Sequence, residues 1–260
     1  MKKLTVFLLL IFFIGNVTHS QTKKLGNETD DRKAERMAWW THDRFGMFIH
    51  WGIYSLAARH EKVKVHEKMT DKEYQIYFDL FDPDLYHPEE WAKKAKEAGM
   101  KYAVMTAKHH DGFCLFDSKY TDYKATKTSA GRDLIKEYVN ACRAEALKVG
   151  LYYSLIDWHH PGFTVDITCP GHPNTKEEYD RLNKNRDMEG YRQYMKNQVR
   201  ELLTNYGKID VLFLDYSYPR EEFGKDHNDW DSKGLLALVR DLQPDIIVND
   251  RLDLKDYEDG

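Results

Sequence analysis

The chain has 260 residues, of which 42% are hydrophobic and 32% are charged, a balance typical of a globular protein. Its formal net charge of -4 at pH 7 argues against sequence-independent binding to DNA or RNA, so we expect no nucleic-acid partner. The 17 tyrosines and 6 tryptophans supply many aromatic faces. Such faces stack on sugars and on bases alike, and they favour neither class of ligand by themselves.

The N-terminus has the pattern of a secretory signal peptide. Two lysines precede an apolar run from Leu4 to about Gly15, and small and polar residues follow as far as Ser20. The run is shorter than the roughly 20 residues that a membrane-spanning helix needs. We therefore predict a cleaved signal peptide at 1–20, a polar lead-in at 21–33, and a secreted or periplasmic protein without a membrane anchor after cleavage.

From residue 34 onward, predicted strands and helices alternate. The predicted strands lie in FGMFIHWGIYS, MKYAVMTAKHHDGF, GLYYSLIDWHHP, IDVLFLDYSYP and DIIVNDRL. The predicted helices lie in HPEEWAKKAKEAG, RDLIKEYVNACRAEALKVG, EGYRQYMKNQVRELLTNYG and SKGLLALVRDLQP. The first of these helices has Pro88 in its first turn and Gly99 at its end, both of which are positional signals. Repeated strand–helix units with apolar strands predict a parallel sheet covered by helices.

Two arrangements of such a sheet are possible: a doubly wound open sheet and a (β/α)8 TIM-like barrel. No glycine-rich phosphate loop follows the first strand, which disfavours the nucleotide-binding open sheet. Polar and aromatic residues crowd the carboxyl ends of the strands, where a barrel builds its active site. We therefore predict an α/β fold in which residues 34–260 form a partial TIM-like barrel. About five of its eight strand–helix units are present, so we interpret the chain as truncated.

The candidate functional residues follow or end these strands. They are His50, Trp51, His109, His110, Tyr152, Trp158, Phe213, Asp215 and Arg251. Asp215 follows an apolar strand and is the candidate catalytic carboxylate, although an aspartate at a strand end often only caps the next turn. Phe213 shares its face with Asp215 because strand residues alternate. Neutral donors with aromatic faces and one carboxylate suit a polyhydroxyl ligand, whereas a phosphate would call for clustered lysines and arginines.

The adjacent histidines leave a metal site as an alternative. Neighbouring strand residues point to opposite faces, so His109 and His110 would chelate poorly unless the backbone bends between them. The helical HExxH pattern is absent as well. We expect the imidazoles to hydrogen-bond a ligand, and we expect no metal and no cofactor.

Taken together, these motifs resemble the α-L-fucosidases of glycoside hydrolase family 29. The matching stretches are RFGMFIHWG, KYAVMTAKHHDGFCLFDSKYTDY, GLYYSLIDWHHP, DVLFLDYS and VNDR, in this order, between Ala34 and Leu252. The resemblance implies a (β/α)8-like catalytic barrel, no required metal, and a retaining mechanism that releases terminal α-L-fucose from fucosylated glycans. It also implies a C-terminal β-sandwich, for which we expect no room in this chain.

The resemblance assigns roles residue by residue. Asp215 matches the family's nucleophile, and Arg251 matches an arginine near the reaction centre. The residues that match those hydrogen-bonding the fucose hydroxyls are His50, His109, His110 and Tyr152. Independently of the resemblance, Trp51 beside His50 and Trp158 after the third strand are candidate aromatic walls, the latter for an outer subsite.

Three departures from the family pattern bear on activity. The family's acid/base residue follows the VNDR strand, so we expect it beyond Gly260. Glu61 and Lys62 stand where many relatives carry a Glu-Trp pair, and Phe213 stands where tryptophan is frequent. The absent acid and Lys62 leave a non-catalytic fucose-binding protein as one alternative. A metal-dependent barrel hydrolase that uses His109, His110 and Asp215 is another, and the sequence leaves the oligomeric state open.

Overall fold

The computed structural model describes residues 28–219 and 221–254. The predicted signal peptide at 1–20 and most of the predicted lead-in lie outside these residues. Within the two described ranges, no helix is both long and apolar enough to cross a membrane.

Five parallel strands form one sheet, in the order in which they occur along the chain. The strands are β1 (Gly46–Ile49), β2 (Tyr102–Lys108), β3 (Lys148–Ser154), β4 (Val211–Asp215) and β5 (Ile247–Val248). Sequential order is that of a barrel wall, whereas a doubly wound sheet reverses its order at a switch point. The predicted parallel α/β sheet is confirmed. The outer strands β1 and β5 pair with no further strand of the described residues, so barrel closure stays a prediction.

Helices connect and flank these strands. Over the described residues they are α1 (Asp30–Asp43), α2 (Val63–His66), α3 (Asp71–Asp79), α4 (Pro88–Glu97), α5 (Leu134–Ala144), α6 (Lys176–Asn183), α7 (Met188–Thr204), α8 (His227–Trp230) and α9 (Ser232–Leu242). The four predicted helices correspond to α4, α5, α7 and α9. The sequence analysis missed the others, which lie in polar connections with little apolar periodicity.

Helix α5 shows why the predicted helices form. Asp133 caps its start by accepting a hydrogen bond from the backbone N–H of Lys136, which satisfies one of the free donors of the first turn. Its apolar positions recur at helical spacing, and all of them are buried. These are Leu134, Ile135, Tyr138, Val139 and Cys142.

Two boundaries differ from the prediction. Helix α1 begins at Asp30, inside the stretch predicted as a polar lead-in, because the Thr29 side chain caps it and acidic residues occupy its first turn. The first predicted strand is shorter than expected: β1 ends at Ile49, and the residues Ile53–Ala57 form a 3-10 helix.

The two faces of the sheet bury different clusters. The larger core lies between the sheet and the covering helices. The smaller cluster lies on the opposite face and consists of Val104, Tyr152, Val211 and Ile247, with Met37, Trp39, Trp40, Tyr102 and Phe213 packed against it. Helix α1 closes the amino end of this face, where the Trp40 and Tyr102 ring centroids are 4.8 Å apart. The carboxyl end of the same face carries Asp215.

Three cysteines permit at most one disulfide. In the structure Cys114, Cys142 and Cys169 are all buried and free. They therefore contribute to packing and form no cross-link.

Candidate active site

The Asp215 carboxylate, at the end of β4, lies at the centre of the candidate site. The Tyr152 hydroxyl donates a hydrogen bond to its Oδ2 at 2.6 Å, and Arg251 Nη1 donates to its Oδ1 at 2.9 Å. His110 Nε2 lies 4.0 Å from Oδ2. The side chain is only 14% exposed. Two donors thus fix the orientation of a shielded carboxylate, and charge-assisted hydrogen bonds of this kind are the strong ones.

Asn249 brings Arg251 to this carboxylate. Strand β5 has only two residues, but the Asn249 side chain continues the pairing in place of backbone groups. Its Oδ1 accepts from the Leu214 N–H at 2.9 Å, and its Nδ2 donates to the Leu214 carbonyl at 2.8 Å. The segment after β5 is therefore held beside the end of β4, where Asp215 lies.

His109 and His110 lie side by side although they are neighbours in sequence. Strand β2 ends at Lys108, and its pairing with β3 shifts register between Thr106 and Lys108, so strand alternation no longer applies. The two ring centroids are 4.1 Å apart, and His109 lies 4.8 Å from His50. The backbone therefore bends before the two histidines, which lets their rings lie on the same side. Together with His50 they form one cluster of three imidazoles.

Hydroxyl groups orient two of these imidazoles. Ser154 Oγ is 2.6 Å from Nδ1 of His110, and the Tyr54 hydroxyl is 2.7 Å from Nδ1 of His50. Nδ1 of His109 is buried and has no hydrogen-bond partner among the described residues. Burial holds the pKa of His109 and His110 well below the usual value of imidazole. Neutral imidazoles can donate to and accept from ligand hydroxyls.

The burial of His110 makes the stability of the folded chain depend on pH. In the unfolded chain His110 takes up a proton near pH 6.5, whereas the folded chain resists protonation, so stability falls as the pH drops below about 6.5. One such group contributes up to about 1.4 kcal/mol per pH unit. We expect His110→Gln to reduce, by about that amount, the slope of the free energy of unfolding against pH between about pH 6.5 and 5, as measured by urea unfolding.

The comparison with the parent chain removes the contributions of other groups. One of these is Asp111, whose pKa burial raises to about 6 and whose effect on the slope has the opposite sign. An unchanged slope in the His110→Gln variant would mean that this imidazole takes up a proton in the folded chain as readily as in the unfolded chain.

Aromatic rings form an apolar wall beside the carboxylate. The Phe213 ring stacks on Tyr152, with centroids 5.6 Å apart and an interplanar angle of 16°. Phe48 lies edge-on to Phe213 at 5.5 Å and remains 46% exposed. Phe213 thus lies on the face that strand alternation predicts, while Phe48 is an addition that the sequence analysis missed.

The two candidate tryptophans have different surroundings. Trp51 is not brought to the site: its ring stacks on Tyr86 with centroids 5.2 Å apart, in a cluster on the helix-covered side. This corrects its interpretation as an aromatic wall of the site, because β1 ends at Ile49 and the Trp51 ring packs against the main core instead. Trp158 lies 5.4 Å from the His110 ring, but it is buried rather than placed at an outer rim.

A buried ion pair joins Lys108, which directly precedes the two histidines, to Asp157. Lys108 is fully buried, and its Nζ lies 3.1 Å from Asp157 Oδ2 and 4.5 Å from the Tyr153 ring centroid. The other oxygen of Asp157 accepts the backbone N–H groups of His159 and His160 at 3.0 and 2.9 Å. Sequence reasoning missed this pair because its members lie far apart in the chain and Lys108 reads as the polar end of a strand.

Tyr216, directly after the central carboxylate, has an unusual backbone conformation. Its φ of 140° is rare for a residue with a side chain. The turn places its ring 5.2 Å from His110 and 3.9 Å from Tyr218. Nothing in the sequence marks this conformation.

A metal site finds no support in the arrangement of side chains. Among residues 28–219 and 221–254, no three or more His, Cys, Asp or Glu side chains are grouped so that they could hold a metal ion. The metal-dependent alternative therefore has no ligand set in this part of the chain.

Comparisons with known proteins give a consistent result. A family model described as Alpha-L-fucosidase matches residues 12–260. Plasma alpha-L-fucosidase of Homo sapiens is 31% identical over 235 residues, which cover 82% of this chain and 46% of the relative. An alpha-L-fucosidase of Dictyostelium discoideum is 26% identical and covers 96% of this chain and 56% of its own length. The chain spans about half the length of these curated relatives.

The solved structures that resemble this chain are alpha-L-fucosidases as well. Alpha-L-fucosidase isoenzyme 1 from Paenibacillus thiaminolyticus is 51% identical, with a TM-score of 0.78 over 85% of this chain and 51% of that one. An alpha-L-fucosidase from Lactobacillus casei in complex with its fucose product is 29% identical, with a TM-score of 0.72 over 86% and 73% of the two chains. A trapped covalent intermediate of an alpha-L-fucosidase from Bacteroides thetaiotaomicron is 29% identical, with a TM-score of 0.72 over 88% of this chain and 50% of that one.

Proposed function

The chain belongs to the alpha-L-fucosidase family, and on that premise we propose that it is a retaining glycoside hydrolase that releases terminal α-L-fucose from a fucosylated glycan. The observation that carries the proposal is the Asp215 carboxylate, oriented by Tyr152 and Arg251 beside a cluster of neutral imidazoles. A polyhydroxyl ring bound over this cluster presents its anomeric carbon to the carboxylate.

The proposed reaction has two displacements. An Asp215 oxygen attacks the anomeric carbon and forms a fucosyl ester, while the glycosidic oxygen leaves with a proton from a second carboxyl group. Water then attacks the same carbon and gives a proton to the second carboxyl group, which the first step left ionised, and fucose departs as Asp215 regains its charge. Tyr152 and Arg251 hold the two oxygens of the Asp215 carboxylate in position, so little reorganisation is needed in the transition state.

The imidazole cluster fits the binding of sugar hydroxyls. The side chains of His50, His109 and His110 are neutral hydrogen-bonding groups at least partly removed from solvent, where each bond to a ligand counts for more than in water. Phe213 and Phe48 offer an apolar surface for the methyl group of a deoxyhexose. We propose these residues, with Tyr152, as the fucose-binding wall.

We extend the proposal to the rest of the chain. The sequential parallel order of β1–β5 and the similarity to the solved fucosidases support a TIM-like catalytic barrel within residues 34–260. We propose that residues 1–20 act as a signal peptide and that the protein is secreted or periplasmic. N-terminal sequencing of the protein recovered outside the cytoplasm tests this: a start near Gln21 is expected, and an intact Met1 would contradict it.

A 2-fluoro-fucosyl fluoride tests the function directly. Fluoride departs with little protonation, so the first displacement depends on Asp215 and not on the acid. The fluorine at C2 destabilises the oxocarbenium-like transition state and slows hydrolysis of the ester. We expect mass spectrometry to show one 2-fluorofucosyl group on the peptide that contains Asp215, and free fucose to slow the labelling. Fucose binding without any adduct would instead favour a non-catalytic fucose-binding protein.

A further inference from the structure

Lys62 places a cation at the rim of the site. It lies in the loop between β1 and α2, and its Nζ is 5.1 Å from the centre of the Tyr216 ring. Tyr216 follows Asp215 directly and packs against His110. The loop after β1 therefore reaches the end of β4, so the Lys62 ammonium borders the proposed fucose site.

Acidic groups of the described residues leave this cation without an ion-pair partner. Glu61 Oε2 lies 3.3 Å from His60 Nδ1, and Asp215 pairs with Arg251. Within residues 28–219 and 221–254, no carboxylate forms an ion pair with Lys62, whose side chain is partly buried. Ammonium groups that lose hydration usually gain a counter-charge or a hydrogen-bond acceptor.

The positive charge of Lys62 lowers the pKa of the nearby imidazoles. Burial is the main cause that lowers the pKa of His110, and Lys62 lowers it further. Burial also dominates for His109 and His50, where Lys62 makes a smaller contribution in the same direction. The imidazoles therefore stay neutral and add no positive charge. Lys62 adds one at this rim and, unlike Arg251, has no carboxylate partner among the described residues. A lysine ammonium can donate to a neutral hydroxyl, but an anionic group gains more because the opposite charges also attract.

We propose that Lys62 forms a subsite for an anionic substituent, a sulfate ester or a carboxylate, on the bound fucoside. The inference rests on the proposed function and adds a substrate class to it. The substituent accepts a charge-assisted hydrogen bond from Lys62 while the sugar ring lies over the imidazoles. The charge can stand on the fucose ring or on the group linked to it, and the two sources are separable by experiment.

Calorimetric titration of the full chain with matched pairs of ligands tests the subsite. One pair is L-fucose and a ring-sulfated L-fucose. The other is the 4-carbamoylphenyl and 4-carboxyphenyl 1-thio-α-L-fucosides, which resist hydrolysis and differ in charge. In at least one pair we expect the anion to bind about tenfold more tightly at low salt, the range of one charge-assisted hydrogen bond. We expect this ratio to shrink at high salt.

Two variants assign the effect. Lys62→Gln is expected to bring the ratio of the two dissociation constants close to one. Lys136→Gln, which removes an exposed lysine of α5 and so makes the same change in net charge, is expected to keep the parent ratio. A preference confined to one pair identifies the source of the charge.

The outcomes separate the inference from the function on which it rests. No preference in either pair, or an equal preference in the parent and in Lys62→Gln, overturns the subsite and leaves the proposed function standing. Failure of every fucose ligand to bind overturns the proposed function, and the subsite with it.

Discussion

Replacement of Asp215 by asparagine is expected to slow formation of the covalent fucosyl intermediate by about 10⁴-fold or more, the scale seen when a catalytic nucleophile is removed. The amide has the size of the carboxylate and its oxygen can still accept a hydrogen bond from Tyr152 or Arg251, but it is a poor nucleophile. The loss should therefore appear in the rate of the first displacement, with fucose still bound.

A leaving group that needs little protonation isolates this step. Release of 2,4-dinitrophenolate from its α-L-fucoside, followed by stopped-flow absorbance, reports the first displacement. Asp241→Asn, at an exposed position of α9, is the matched control and should behave like the parent chain. If Asp215→Asn stayed within tenfold of the parent rate, another group would be the nucleophile and the proposed double displacement would need a different centre.

Much of the sheet and of its covering helices follows from the sequence. Apolar runs such as the strand before Asp215 admit few interpretations once glycine and helical periodicity mark the segments between them. Helix α5 shows this, because every apolar position at its predicted spacing is buried. The short helices α2, α3 and α8 lie in polar segments, where local capping and contacts with the rest of the fold decide the conformation and periodicity gives no signal.

In the candidate site, residues within strands were predictable from the sequence and residues after the strand ends were not. Asp215, Phe213 and Tyr152 share a face because side chains alternate along paired strands, so their convergence is predictable. Trp51 and Trp158 lie after their strands have ended, where alternation no longer determines direction. Their positions depend on tertiary packing, and the sequence could not provide it.

Partners far apart in the chain were the least accessible to sequence reasoning. The hydroxyl that orients His110 comes from Ser154 at the end of β3, and the Lys62 ammonium lies 5.1 Å from the centre of the Tyr216 ring. The sequence analysis treats Lys62 as a departure from the family's Glu-Trp pair and does not predict its contact with Tyr216. Such contacts form only when the chain has folded, and no local sequence pattern predicts them.

Lys108→Met is expected to lower the free energy of unfolding by about 3–5 kcal/mol, the usual cost of removing one partner of a buried ion pair. Methionine fills most of the volume of the lysine side chain, but it leaves the Asp157 carboxylate buried without its cation. Chemical unfolding of the parent and the variant measures the loss, and Lys136→Met on the surface of α5 should change stability by no more than about 0.5 kcal/mol.

The double variant Lys108→Met/Asp157→Asn distinguishes a coupled pair from two separate losses. Removing both charges leaves no unpaired ion, so its cost should fall below the sum of the single costs by about 1 kcal/mol or more. Strict additivity would show that the two side chains contribute independently. Because Lys108 directly precedes the histidines, and Asp157 also fixes the N–H groups of the next loop, coupling would mean that one buried pair joins the ends of β2 and β3. The single variants should then weaken fucose binding as well as stability, although neither side chain lies among the proposed sugar contacts.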